Sequence, residues 1–215
     1  MRTFIFLVFT FSSLISSAQS FTFVFLNSRT DKAELPKEEL DKLMEGHLKN
    51  IGRLAKEGKL IVAGPFDGGG GIFIMNTPSI DVANEWLGTD PGIQANRWRL
   101  EVLPYYPVIG SACPSKEPYE MVTYSFIRFT PNIHKDNVSA YDELALKHDQ
   151  YIKQLANAER VITIGQFGSR EGGILVLEGD VNTGLIENDP GVQRGVLLAE
   201  IKKVWVAKGS FCEEK

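Results

Sequence analysis

The stretch KLIVAGPFDGGGGIFIM, residues 59–75, decides the fold, because a similar stretch, RVITIGQFGSREGGILVLE, follows at residues 160–178. Each stretch holds two apolar runs of strand length on either side of a glycine-rich segment, which is the pattern of a β-hairpin. Glycine permits the positive φ angles that a tight hairpin turn needs. The sequence therefore predicts the same two-stranded unit at two places in a chain of 215 residues.

A histidine upstream and an Asp-Pro-Gly tripeptide downstream flank both hairpins. His47 and His148 each precede the glycine near the end of the first hairpin strand by 17 residues. Asp90 follows the first histidine by 43 residues, and Asp189 follows the second by 41. The matched spacing predicts two related units of about 100 residues each.

Apolar periodicity predicts the order β-α-β-β-α-β within each unit, which is the ferredoxin-like arrangement. The Asp-Pro-Gly tripeptides are predicted as turns before the last strand of each unit. The first unit is predicted to have strands at 21–26, 59–64, 72–76 and 97–106, with helices at 36–58 and 80–87. The second is predicted to have strands at 120–129, 160–165, 174–178 and 196–207, with helices at 141–156 and 181–187.

The overall composition is that of a globular protein, with 43% hydrophobic and 23% charged residues. The formal charge of −4 and the lack of a basic run give no reason to expect nucleic acid as a partner. No stretch after the N-terminus reaches the length that crosses a bilayer, so no stable membrane span is predicted.

The first 18 residues have the pattern of a signal peptide. Arg2 provides a positive charge, residues 4–11 are apolar, and Ser16, Ser17 and Ala18 are small residues before a cleavage site. The alternatives are a short buried helix and a membrane anchor. Cleavage after Ala18 predicts an exported protein, in the periplasm or outside the cell.

The two cysteines occupy equivalent positions in the two units. Cys113 follows Asp90 by 23 residues, and Cys212 follows Asp189 by 23. Equivalent residues of a pseudo-symmetric pair meet only near the symmetry axis, and a disulfide persists outside the cytosol. A Cys113–Cys212 disulfide is therefore predicted, the alternative being two unpaired exposed thiols. Neither cysteine has the neighbouring ligands of a metal site, so no metal is expected.

The two histidines fall on the apolar faces of their helices, where a histidine is often a hydrogen-bonded core residue. The repeated Asp at a matched distance favours a second interpretation. A carboxylate bound to one imidazole nitrogen fixes the tautomer and leaves the other nitrogen as a base. The pairs His47–Asp90 and His148–Asp189 are therefore candidate catalytic residues.

These features resemble the YCII-related domain family: the histidine on the first helix, the Ala-Gly-Pro or Gly-x-Phe strand end, the glycine-rich hairpin and the Asp-Pro before the last strand. The resemblance covers nearly all of the mature chain as two tandem copies, of which the first is clearer. It implies an α+β fold in which two ferredoxin-like units form a dimeric α+β barrel, here within one chain as a pseudo-dimer. It also implies an enzyme with a His–Asp pair in the active site.

The sequence departs from the family pattern at three positions. Gly92 and Gly191 follow Asp-Pro where the family usually has a bulky residue, and Gln166 stands where proline is usual. The predicted domains are the signal peptide at 1–18, a first YCII-like α+β domain at 19–107, a linker at 108–118 and a second YCII-like domain at 119–215.

The function predicted from this resemblance is an exported enzyme that moves a proton on a small organic molecule, as an isomerase or lyase without a cofactor. Phe66 and Trp98 are predicted to shape the substrate pocket. The alternatives are a module of the same fold that only binds a small ligand, and a structural envelope protein in which the His–Asp pairs serve packing. The chain is expected to be a monomer with an internal pseudo-dimer, or a homodimer.

Overall fold

The computed structural model describes residues 20–158 and 160–212 as two units with the same order of elements. The predicted signal peptide at 1–18 lies outside the described residues. The first unit comprises β1 (Phe21–Ser28), α1 (Lys37–Lys56), β2 (Leu60–Pro65), β3 (Gly71–Met75), α2 (Ile80–Leu87), α3 (Pro91–Gln94) and β4 (Trp98–Ile109). The short strand β5 (Ser111–Ala112) follows. The second unit comprises β6 (Met121–Pro131), α4 (Val138–Ala158), β7 (Val161–Gln166), β8 (Gly173–Glu178), α5 (Thr183–Glu187), α6 (Pro190–Gln193), β9 (Leu197–Ala207) and β10 (Phe211–Cys212).

Local sequence signals explain where the helices of the first unit begin and end. Acidic Glu38 and Glu39 lie in the first turn of α1 and basic residues lie in its last turn, which suits the helix dipole. Ser79 caps α2 by accepting a hydrogen bond from the backbone N–H of Val82. Among the helices that the structure describes, none combines the length and the hydropathy of a membrane-spanning helix.

The main sheet has eight antiparallel strands in the order β2-β3-β1-β4-β7-β8-β6-β9. Within each unit the order of strands is the ferredoxin-like one, and β4 pairs with β7 to join the units. At the other end, an isolated bridge between Phe66 and Val204 links the chain just after β2 to β9. The sheet is thus closed into a barrel by one chain, and the predicted α+β fold with two ferredoxin-like units is confirmed.

The barrel interior is filled largely by aromatic side chains from both units. Phe23 lies with its ring centroid 5.4 Å from Tyr105, 6.2 Å from Phe126 and 5.2 Å from Phe167. These edge-on and tilted arrangements are the ones that aromatic pairs prefer. The interior is therefore a packed core, and the cavity that His47 lines lies outside it, between the sheet and α1.

A disulfide bond joins the two units away from the main sheet. Cys113 and Cys212 are bonded with their Cα atoms 5.9 Å apart. Beside them, Ala112 of β5 pairs with Phe211 of β10, and these residues are equivalent in the two units. The pseudo-twofold axis therefore passes through this small two-stranded sheet. Part of the segment predicted as a linker belongs to β4 and β5.

The two Asp-Pro-Gly segments, predicted as turns, begin the short helices α3 and α6. Asp90 and Asp189 are the N-caps of these helices, and proline occupies the first helical position of each. Asp at the N-cap and Pro at the first position are both favoured there. Each of these helices has four residues, which are too few to show a helical period. The sequence pattern therefore predicts that the chain turns here but does not predict a helix.

Candidate functional site

A buried histidine and a buried carboxylate meet between α1 and the start of α3. His47 is 7% exposed and Asp90 is 1% exposed. His47 Nδ1 lies 2.8 Å from Asp90 Oδ2, which is hydrogen-bond distance. The predicted pair is thus brought together by a residue on the core-facing side of one helix and the N-cap of another.

The Asp90 carboxylate is held by backbone and side-chain donors as well as by the imidazole. The N–H groups of Gly92 and Ile93 donate to Oδ1 at 2.8 and 3.1 Å. Asn50 donates to Oδ2 from its Nδ2 at 3.2 Å. Burial opposes the charged form of Asp90, but the hydrogen bonds and the charge of His47 outweigh it and keep the pKa of Asp90 below its ordinary value.

An ionised Asp90 decides the roles of the two imidazole nitrogens. A carboxylate only accepts hydrogen bonds, so Nδ1 of His47 must carry the proton and donate it. In the neutral ring, Nε2 then has a free lone pair. No residue in the described part of the chain makes a hydrogen bond with Nε2 of His47.

A second layer of polar groups holds Asn50 in place. Arg53 donates from Nη2 to Oδ1 of Asn50 at 2.8 Å, and the Thr89 hydroxyl, which donates to the Trp86 carbonyl at 2.6 Å, lies 3.2 Å from the same oxygen. Thr89 directly precedes the N-cap Asp90, and Arg53 also binds the Thr89 hydroxyl. The network fixes the orientation of the amide so that its N–H group, and not its oxygen, faces the carboxylate.

Replacing Asp90 with Asn should weaken the protein most at neutral pH. The lowered pKa of Asp90 means that its ionised form stabilises the folded state above the unfolded pKa, and that this stabilisation is lost as the pH falls through the folded pKa. Loss of the buried charged hydrogen bonds should cost about 1.5–3 kcal/mol at pH 6. The difference in free energy of unfolding between wild type and Asp90→Asn should shrink once the pH falls below about 4. Urea unfolding at a series of pH values measures this difference.

Asp31→Asn is the matched control, because Asp31 is an exposed carboxylate in an ion pair with Arg29. Its replacement should change the free energy of unfolding much less. A constant difference between wild type and Asp90→Asn from pH 6 to pH 3 would contradict the assignment of a buried ionised carboxylate.

A cavity of about 430 Å³ opens beside His47. Its lining has no charged side chain among the described residues: Leu26, Met44, His47, Leu48, Ile51, Ala63, Gly64, Pro65, Gly70, Gly71, Ile72, Phe73, Trp98, Met121 and Trp205. The indole of Trp98 lies 4.7 Å from the imidazole, centroid to centroid. His47 is thus the titratable group in an otherwise apolar pocket.

Both units contribute to this cavity. Most of the lining belongs to the first unit, but Met121 and Trp205 come from β6 and β9 of the second. Trp205 is 49% exposed, so it forms a wall at the surface of the molecule. The pocket of the first unit is therefore complete only when the barrel is closed.

Gly92, one of the departures from the family pattern, makes room for Trp98. A Cβ atom at this position would lie 2.6 Å from Cζ3 of the indole. At the equivalent Gly191, a Cβ atom would lie 2.7 Å from Cδ1 of Leu197. The space next to each Asp-Pro is therefore filled by a side chain from the following strand.

Phe66, predicted to line the substrate pocket, does not line this cavity. It is 8% exposed and its ring lies 5.1 Å from Phe126 within the barrel. Side chains alternate between the two faces of a strand, and Phe66 has the same parity as Val62, which also faces the interior. Trp98, the other predicted pocket residue, does line the cavity.

The second unit repeats the pair with a different surrounding. His148 Nδ1 lies 2.7 Å from Asp189 Oδ2, and the N–H groups of Gly191 and Val192 donate to Oδ1. Tyr151 takes the place of Asn50 and donates to the Leu185 carbonyl instead. A separate cavity of about 200 Å³ lies beside His148.

Sequence reasoning missed several residues of the first site. Asn50 lies three residues after His47 on α1, so helical spacing could have indicated it. No sequence signal places Trp205 in this pocket, since its position in the wall depends on closure of the barrel.

Within the described residues, no group of three or more His, Cys, Asp or Glu side chains could hold a metal ion.

Comparison with known proteins gives a match over the first unit and several similar structures. Residues 22–105 match the family model of the YCII-related domain. No curated protein matches the chain. A "putative monooxygenase" from Lactobacillus acidophilus has 12% identity and a TM-score of 0.44, with 91% of this chain and 99% of that chain covered. Another from Fusobacterium nucleatum has 11% identity and a TM-score of 0.47, with 92% and 96% covered. A monooxygenase-like protein from Listeria innocua has 9% identity and a TM-score of 0.32, with 86% and 94% covered.

Proposed function

We propose that this chain, whose residues 22–105 match the family model of the YCII-related domain, is an enzyme that moves a proton on a small organic molecule at His47. The observation that carries the proposal is the pairing of His47 Nδ1 with the ionised Asp90, at 2.8 Å, beside an apolar cavity of about 430 Å³. The imidazole is oriented on one side and has an accepting nitrogen on the other, as a general base requires.

In the proposed mechanism, Nε2 of His47 takes a proton from a carbon or oxygen atom of the bound substrate. The electron pair stays on the substrate as an enolate or phenolate. The imidazolium that forms is stabilised by Asp90, which keeps its hydrogen bond to Nδ1 and remains ionised. Return of the proton to another carbon would give an isomerase, and its transfer to a leaving group would give a lyase.

The cavity supports an uncharged and largely apolar substrate. A charged group in this pocket would lose its hydration and find no opposite charge in the lining. Trp98 and Trp205 offer aromatic faces on which a flat molecule can pack. The volume lies within the range of pockets that bind small molecules.

Two alternatives make different demands on the site. If the pair had only a structural role, both imidazole nitrogens of His47 should have hydrogen-bond partners and no cavity should lie beside them. Instead, Nε2 has no hydrogen-bond partner among the described residues, and a cavity lies beside the ring. A module that only binds a ligand does not need the histidine and the aspartate to face each other. The observed geometry therefore favours proton transfer.

Hydrogen–deuterium exchange tests the proposal before any reaction is known. The protein is incubated in D₂O with uncharged, enolisable ketones such as 2-tetralone and phenylacetone, and deuterium uptake is followed by mass spectrometry. At least one ketone should exchange faster with protein than in buffer, and the same ketone should change the tryptophan fluorescence. Ketones that change the fluorescence with no faster exchange would favour the ligand-binding alternative.

A further inference from the structure

We propose that the cavity beside His148 is a separate binding site for a small molecule that carries a carboxylate group. This goes beyond the proposed function, which concerns the apolar cavity of the first unit. The second cavity has about half the volume, 200 Å³ against 430 Å³. Its lining also differs in charge, although it occupies the equivalent place in the fold.

Matched positions on the two helices and hairpins show the change in chemistry. Three positions that are apolar or have no side chain in the first unit are polar or charged in the second: Leu48 and Asp149, Gly52 and Lys153, and Pro65 and Gln166. Asp149, Lys153 and Gln166 all line the second cavity. A ligand that leaves water for this pocket can make several polar side-chain contacts, whereas His47 is the one ionisable side chain in the described lining of the first pocket.

Arg170 is the clearest addition to the second site. It lies in the loop between β7 and β8, which corresponds to the glycine-rich loop after Phe66 in the first unit. Its φ angle is +64°, a conformation that a residue other than glycine rarely adopts. The positive φ angle makes the folded state less favourable with arginine than with glycine at this position. The presence of arginine there therefore indicates a role for its side chain.

Two of the three nitrogen atoms of the Arg170 guanidinium bind Asp142, and the third, Nη1, is available to a ligand at the edge of the cavity. Its Nε and Nη2 atoms donate to Asp142, in a pair that is exposed on both sides. No hydrogen bond of its Nη1 atom is found within the described residues. The pair with Asp142 is exposed to solvent, so its charges are screened, and the Nη1 atom can donate a charged hydrogen bond to a second carboxylate.

The acidic side chain of Asp149 limits where the carboxylate would lie. Asp149 is acidic and would repel it, although Gln166 donates a hydrogen bond to Asp149 at 3.1 Å. Arg170 lies over Tyr141, with its Cζ atom 5.7 Å from the ring centroid. Tyr141 and His148 are seven residues apart on α4, or about 10 Å along the helix axis. The carboxylate would bind near Arg170 and Tyr141, and a polar group at the far end of the ligand would reach His148.

A matched pair of probes tests the charge requirement. The acid is 4-hydroxyphenylacetate and its neutral counterpart is 4-hydroxyphenylacetamide, which has nearly the same shape. Each is titrated into the protein while the imidazole C–H resonances of His47 and His148 are followed by NMR. The acid should shift the signals of His148 and leave those of His47 unchanged, and the amide should have at most a small effect.

Arg170→Gly is the variant that tests the cation without distorting the loop, because glycine accepts the positive φ angle. It should weaken binding of the acid by at least about tenfold and leave the thermal unfolding midpoint at or above that of wild type. Equal binding of acid and amide, shifts at His47 instead of His148, unchanged affinity in Arg170→Gly, or no binding of the acid at about 10 mM would each overturn the proposal. These readouts use no enzyme activity, so they are independent of the proton-transfer function proposed for His47.

Discussion

Replacing His47 with Gln should slow deuterium exchange into the bound ketone by about 10²–10⁴-fold, the range that a positioned general base contributes. Glutamine is a polar residue that can still donate a hydrogen bond to Asp90. Its amide has no basic nitrogen, so it cannot take the proton from the substrate. Ketone binding, measured by tryptophan fluorescence, should change little, because the apolar lining of the cavity is kept.

His148→Gln is the matched control, since it makes the same change at the equivalent position of the second unit. It should leave exchange at the first site within a factor of about two of the wild-type rate, given that separated sites act independently. Unfolding measurements on His47→Gln then separate catalysis from packing. Gly92, Ile93 and Asn50 still bind Asp90 in this variant, so the loss of stability should be about 1–2 kcal/mol. An unchanged exchange rate together with a loss of several kcal/mol would favour a structural role.

Removing the disulfide should lower the free energy of unfolding by about 2–4 kcal/mol, which is the usual effect of a bond that closes a long loop. Cys113 and Cys212 are 99 residues apart in the sequence. Their bond restricts the unfolded chain over the whole second unit. The expected result is a lower midpoint in urea for the Cys113→Ser, Cys212→Ser double variant, and for wild type unfolded with a reducing agent present.

Ser210→Ala serves as the control at the same junction. Ser210 is buried and its hydroxyl lies 3.1 Å from that of Ser115, so its replacement removes a local hydrogen bond while leaving the covalent link intact. It should cost about 1 kcal/mol. A double cysteine variant that differs from wild type by no more than Ser210→Ala would show that the covalent link itself stabilises little.

Local sequence patterns predicted much of the fold because they report on local geometry. The alternation and glycines of the two hairpins fixed β2, β3, β7 and β8 to within one residue at each end. The helical spacing of apolar residues placed His47 on the core-facing side of α1, where the structure has it. Predicted and observed bounds differ more at β4, which runs on to Ile109 past the prolines at 104 and 107.

Long-range packing determined what the sequence could not indicate. The bridge between Phe66 and Val204 closes the barrel across 138 residues (204 − 66), and no local pattern reports such a contact. For that reason Phe66 is predicted to line the pocket but lies in the interior, and the sequence does not indicate that Trp205, from the second unit, forms a wall of the first pocket. The helices α3 and α6 were missed because only the cap and the proline identify them.

Closure of the barrel by a single chain has a genetic consequence. In an assembly of two identical subunits, every codon change appears in both pockets, so neither can be altered without the other. Here the two halves are encoded separately, and a substitution such as the arginine at position 170 affects one pocket alone. Selection can therefore act on the two pockets one at a time, while the shared barrel that joins them remains under common constraint.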